Sequence, residues 1–242
     1  MFDRKVDYPT AVASDNNQGI TAAVAWCIQH MDGDTLTVWT PLKVNLTYNP
    51  LLQQLVTGHR DVDHVTGRGA GPAPKAGPVL MAWADMDDIG KFLRFGATRI
   101  RALCVIPSLR DSVRPWVSAV NPVLLGDASM WDEQAPGLDP IVVEALKGLT
   151  KSINHNNTIS AGYEKDCVVA TLLALHDGGV KMDPGAMQGW ALANGWRGQN
   201  PERLAGYVRD ISAGKRPKSR SSVPASYVAD LQRRIGDGGR PA

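Results

Sequence analysis

The run Pro78-Val79-Leu80-Met81-Ala82-Trp83, followed by Asp85 and then by Ala102-Leu103-Cys104-Val105-Ile106-Pro107, decides the fold. Each run is apolar throughout and of strand length, the pattern of a strand covered on both of its faces. Between them Asp85 can cap a helix over 86–95 that sets Ile89, Phe92 and Leu93 on one side. A fully buried strand, a helix and a second fully buried strand in this order predict parallel pairing with helices on the faces of the sheet.

Outward toward the N-terminus the pattern repeats. Thr35-Leu-Thr-Val-Trp-Thr40 alternates and is β-branched, and Pro41 stops it. Asn49-Pro50 opens a short helix carrying Leu51, Leu52, Leu55 and Val56. Val62 to Thr66 reads as a weaker strand, and 67–77 as a glycine- and proline-rich connection. That connection has no Gly-Lys-Ser/Thr ending, and its prolines would break the helix a phosphate-binding loop needs, so it reads as a lid. Ile20, Val24, Cys27, Ile28 and Met31 stand at helical spacing, while residues 1–18 are polar without a period and read as a lead-in arm. On the C-terminal side, Asp111 can cap a helix carrying Val113, Trp116, Val117 and Val120.

Beyond the linker-like stretch 125–139 the chain reads as helix only. Asp139-Pro140, Asp183-Pro184 and Asn200-Pro201 are helix starts, and Gly178, Gly195 and Gly214 are stops. The expected architecture is thus an α/β domain over 1–130, with a mostly parallel sheet and helices on both faces. An all-helical domain over 136–242 follows it, interrupted by a basic connection at 213–222. Within that domain the helices at 164–176 and 184–194 are joined by too long a turn for a helix-turn-helix. The second of them carries no Lys or Arg, so the pair reads as an ordinary helical hairpin.

Composition narrows the class. With 43% hydrophobic and 21% charged residues the 242-residue chain is ordinary globular protein. Its longest apolar runs fall well short of the roughly 20 residues a membrane span needs. The N-terminal stretch is polar, with no apolar core for a secretory signal. Cys27, Cys104 and Cys167 are dispersed through apolar stretches, which reads as buried thiols in a reducing compartment and points to the cytoplasm. The abundance of Ala, Gly, Val, Arg and Asp resembles proteins of high-GC bacteria or their phages, which implies a bacterial origin.

Three groups of residues carry possible chemistry. Ligands of parallel α/β sheets bind beyond the carboxyl ends of the strands, which here offer Lys43, Asn45, Thr66, Arg68, Asp85, Ser108 and Arg110. Lys43, Arg68 and Arg110 would suit a phosphate or carboxylate ligand, in a binder or an enzyme. Asp85-Met86-Asp87-Asp88 could be an acid cluster, though acids in a first helical turn are favoured by the dipole alone. The second group is His59-Arg-Asp61-Val-Asp63-His64, which resembles the His-x-His-x-Asp-His metal signature of metallo-β-lactamase-fold hydrolases. Asp61 stands where the second His belongs, and the family's downstream ligands have no counterpart in this half. The resemblance implies a metal-dependent hydrolase. The third is Lys215, Arg216, Lys218 and Arg220, four cations in a short polar connection. From Arg197 onward ten Lys/Arg face four acids, so this end is locally basic although the chain's net charge is only +2. Such a segment suits the phosphates of nucleic acid or an acidic protein surface. The leading expectation is therefore a binding or regulatory module acting through its basic C-terminal end. The alternatives are a ligand site at the sheet edge and the metal hydrolase. The residues identify no catalytic group and no cofactor.

Overall fold

The computed structural model describes residues 6–67, 75–96, 99–131, 137–155 and 157–238. Among these residues six strands form one sheet: β1 (Thr10–Ala13), β2 (Leu36–Thr40), β3 (Val62–Thr66), β4 (Gly77–Ala84), β5 (Ile100–Pro107) and β6 (Val123–Leu125). Their order is β3-β2-β4-β5-β1-β6, and every neighbouring pair is parallel. The apolar runs that predicted the fold, β4 and β5, lie at the centre, with Leu80 opposite Cys104 and Met81 opposite Val105.

Two helices, α1 (Asn17–Gln29) and α2 (Pro50–Gly58), cover one face; α3 (Met86–Gly96) and α4 (Arg114–Val120) cover the other. Chain direction dictates this split. The β1-to-β2 and β2-to-β3 crossovers run one way along the sheet and those after β4 and β5 run the other, so right-handed crossovers place their helices on opposite faces. Cys27 of α1 meets Cys104 of β5 inside the first core, where burial pushes the Cys27 thiol up.

The lead-in arm expected over 1–18 is corrected by β1. Its four residues lie between β5 and β6, with Ala11, Val12 and Ala13 fully buried. A strand this short, half of it alanine, has no readable period. It is stable because α1 packs closely over side chains that small. The three-residue β6 was likewise absent from the sequence reading.

Helices α5 (Pro140–Ser152), α6 (Gly162–Asp177), α7 (Pro184–Ala193), α8 (Asn200–Ser212) and α9 (Tyr227–Gly238) follow. Asp139 and Asp183 cap as expected, accepting from Ile141 N at 2.8 Å and Ala186 N at 2.7 Å. Asn200 does not cap: Gln199 holds that position, and the Asn200 amide is drawn to a distant loop. Trp196 closes the helical core, its indole donating to Thr150 Oγ1 at 2.8 Å.

The helical part packs on the α3/α4 side. Helix α7 lies against α4, where Gly189 faces the Pro115 backbone, and Gln188 donates to Asp87 of α3 at 2.6 Å. Gly198 N donates to Gly90 O at 2.7 Å, an approach two glycines permit. Because α7 is largely buried in this seam, it has no free face to enter a DNA groove. No helix among the described residues is long and apolar enough to cross a membrane.

Candidate ligand site at the carboxyl edge of the sheet

Parallel pairing brings every strand's carboxyl end to one edge, in the order Thr66, Lys43, Asp85, Ser108, Ser14 and Asp127 from β3 to β6. The segment after β1, Ser14-Asp15-Asn16-Asn17, therefore belongs to this edge. Asn16 caps α1 by accepting from Gly19 N at 2.8 Å, and Ser14, fully buried, donates to the same Asn16 oxygen at 3.2 Å. The turn is thereby fixed, leaving Asp15 free to reach outward.

Its partner comes from β4. Between Ala82 and Ala84 the β4–β5 register slips, and Trp83 takes a left-handed backbone with φ of 59°. For a bulky residue that conformation costs on the order of 1–3 kcal/mol and persists only where its surroundings impose it. The kink turns the Trp83 ring against the α1 core, and its indole N–H donates to Asp15 Oδ1 at 3.0 Å. From β2, the 3-10 turn Lys43–Tyr48 brings Asn45 and Tyr48 to the same place. Asn45 accepts from Leu42 N at 2.7 Å and Asn49 from Leu52 N at 3.0 Å, which fixes both amides.

These groups border an open, solvent-facing cavity of about 380 Å³ lined by Asp15, Asn16, Asn17, Ile20, Asn45, Tyr48, Asn49 and Trp83. Tyr48 is 73% exposed. The described lining holds four carboxamides, one carboxylate and two aromatic rings, and no cation is among those residues. Carboxamides donate and accept, the carboxylate accepts, and the rings offer flat apolar faces.

Of the edge residues named from sequence, Asn45 lines this cavity. Lys43, Thr66, Asp85, Ser108 and Arg110 stand along the same edge outside it, and Arg68 lies outside the described residues, as does most of the expected lid. Asp85 and Asp88 cap α3 reciprocally, Asp88 N donating to Asp85 Oδ1 at 2.8 Å and Asp85 N to Asp88 Oδ2 at 3.3 Å. Burial, with the Asp85 charge adding to it, raises the Asp88 carboxyl above its ordinary range. Arg110 pairs with Asp111 at 3.6 Å. Reading the sequence missed Asp15, Asn16, Asn17, Tyr48, Asn49 and Trp83. The available signal was a polar Ser-Asp-Asn-Asn turn ahead of Gly19 and a helix, which the arm reading concealed.

The His59–His64 group does not converge. His59 ends α2 and is exposed, as is Asp61; Asp63 pairs with Lys75 at 2.9 Å; and His64 shares a 2.8 Å hydrogen bond with Thr40. The Thr40 hydroxyl donates to Leu42 O at 2.9 Å, so His64 Nε2–H is the donor to Thr40. Burial, with Lys43 nearby, holds the His64 imidazole below its usual value. Asp63 and His64 are successive in β3 and point to opposite faces. Among the described residues no group of three or more His, Cys, Asp or Glu is placed to hold a metal ion.

The basic connection is pinned instead of loose. Ser219 donates to Asp166 O at 2.9 Å and Lys165 to Lys218 O at 2.6 Å. Lys215 pairs with Asp210 at 2.7 Å, and Arg216 makes a two-pronged pair with Asp177 at 2.8 and 2.7 Å. That fork holds the Asp177 carboxyl below its ordinary range. Lys218 and Arg220 are exposed and have no acidic partner among the described residues.

Residues 138–233 match a family model described as a domain of unknown function, DUF1889. The match takes in α5 through most of α9 with the basic connection and leaves the whole sheet outside it. No curated protein and no solved structure matches the chain.

Proposed function

We propose that the protein binds a small, uncharged, hydroxyl-rich molecule of sugar or nucleoside size at the carboxyl edge of its sheet. One observation carries this reading: Trp83 is held in a costly backbone conformation that brings its indole to Asp15 at the mouth of a cavity lined by carboxamides. A ring to stack on, amides to pair with hydroxyls, and a single carboxylate suit a neutral polar ligand. Lys43 and Arg110 stand outside the described lining and Arg68 outside the described residues, so the lining that is described supports a neutral ligand over a phosphate.

Calorimetric titration with a panel of monosaccharides and nucleosides tests it. At least one compound should bind, and Asp15→Ala should weaken that binding about tenfold or more, the usual effect of deleting a charged hydrogen-bond partner. If no compound of either class binds, or Asp15→Ala leaves the affinity of those that do unchanged, the reading fails.

A second reading concerns an acidic partner, nucleic acid or protein, at the basic connection. Its support is the exposure of Lys218 and Arg220 beside Lys165, while Lys215 and Arg216 are engaged by acids. Retention on heparin should accordingly drop with Lys218→Gln and Arg220→Gln together, and change little with Lys215→Gln. The reverse ranking, or no retention at any salt, would remove it.

A further inference from the structure

We infer that a second cavity, between the α/β half and the helical half, is a binding site for a phosphate-bearing anion. It measures about 420 Å³ and is lined by Arg94 of α3, Arg197 of the turn before α8, and Arg203 of α8, with Thr158, Gln199 and Asn200 among the remaining residues. It shares no residue with the sheet-edge cavity, and its chemistry is opposite.

Charge is the first argument. Arg197 and Arg203, which have no acidic partner among the described residues, line one concavity together with Arg94, and no Asp or Glu is among the described residues lining it. Like charges gathered in this way repel one another, and an anion relieves that repulsion. Glu164 of α6 accepts from the Asn157 amide at 2.8 Å. Arg197 makes no ion pair among the described residues. Arg203 bonds Thr158 Oγ1 through one terminal nitrogen and Gln199 Oε1 at 2.6 Å through the other. Both partners are neutral, so they orient the guanidinium without giving it an acidic partner among the described residues.

Preorganisation is the second argument. Asn200 is 3% exposed, accepts from Ile159 N at 3.1 Å, and donates to Asn157 O at 2.9 Å. Tyr207 donates to Ile159 O at 2.8 Å. These bonds clamp the loop between α5 and α6 onto α8, which fixes Thr158 and through it Arg203. On the opposite wall the stem of Arg94 passes close over Gly198, whose amide is tied to Gly90. The cations thus stand on fixed supports from both halves, and planar guanidinium forks match phosphate oxygens two at a time.

Titration calorimetry of the whole chain with pyrophosphate, at low ionic strength, tests the site. Saturable one-to-one binding is expected, weakened about tenfold or more by Arg197→Gln and by Arg94→Gln, as the loss of charge-assisted hydrogen bonds predicts. The pair Lys218→Gln and Arg220→Gln should leave this binding unchanged, which separates a built site from general surface charge. Arg197→Gln should keep the parent Tm, because no ion pair with described residues is lost. A parallel titration with ATP identifies the source of the phosphate: tighter binding than pyrophosphate extends the assignment to nucleotides, and equal binding confines it to the phosphate groups. No saturable pyrophosphate binding, or binding indifferent to both arginine substitutions, overturns the inference.

Discussion

Gly189→Ala should lower stability by about 3 kcal/mol, the upper part of the usual range for overpacking a close seam. A Cβ at this position would stand 2.4 Å from the Pro115 carbonyl carbon, 2.5 Å from its oxygen and 2.7 Å from Trp116 N. All three are backbone atoms, so no side chain can swing away to make room. Either α7 lifts from α4 or α4 shifts on the sheet, and Trp116, fully buried beneath it, loses its packing. For a chain of this size the Tm should fall by roughly 6–12 °C. Gly148→Ala is the matching control. It lies inside α5, a Cβ there meets nothing within 4 Å, and alanine suits a helix interior better by roughly 0.5–1 kcal/mol. Urea unfolding of the two variants beside the parent measures both. A Gly189→Ala variant as stable as the parent would mean that the two halves are not held in this close contact.

How far the fold was legible follows from where each element buries its side chains. Strands β4 and β5 were readable because both faces are covered, so Val79 to Ala82 and Ala102 to Ile106 run apolar without interruption. Helices α5 and α7 were readable because an Asp before a Pro fixes a start. Asn200 shows the limit of that rule, since the same residue types began α8 while the amide served a loop about forty positions away. Strand β1 was not legible. Four residues, two of them alanine, leave no period, and their membership of the sheet depends on pairing with Leu103, Cys104 and Val123, far along the chain.

The candidate site inherits those limits. Its location at the strand carboxyl ends followed from parallel topology, and Asn45 was named from it. Asp15 and Trp83 meet only because β1 and β4 are two places apart in strand order and the β4–β5 register slips at Ala82. Neither fact is local in sequence. The arginine cavity was also out of reach, since Arg94 and Arg203 are brought together by the docking of the halves. Charge counting located the excess cations near the C-terminus. It could not show that Asp177 and Asp210 answer Arg216 and Lys215 while no acid answers Arg197 among the described residues.

Gly19→Ala is the substitution with the largest expected effect on the sheet edge. A Cβ on Gly19 would stand 2.1 Å from Ser14 O, 2.3 Å from Ser14 Oγ and 2.8 Å from Ser14 C. Helix α1 cannot simply back away, because Gly126 closes the other side: a Cβ there would fall 2.8 Å from Gly19 Cα. The φ of Gly126, +76°, keeps that approach possible. Relief therefore requires the Ser14–Gly19 turn to open. Opening it removes the Asn16 cap, worth about 1 kcal/mol, in addition to overpacking of about 3 kcal/mol. A Tm lower by roughly 8–16 °C is expected. The local consequence is more specific. Asp15 lies within that turn, so its bond from the Trp83 indole should break, and the Trp83 indole N–H resonance should shift. Amides of β1 and β6 should lose hydrogen-exchange protection before those of β4 and β5, since β1 is held to β5 over only three paired residues. The arginine cavity shares no residue with this turn and should bind pyrophosphate as the parent does below the lowered Tm. An unchanged Trp83 resonance with normal protection of β1 would show that the turn is not the tightly closed structure that positions Asp15.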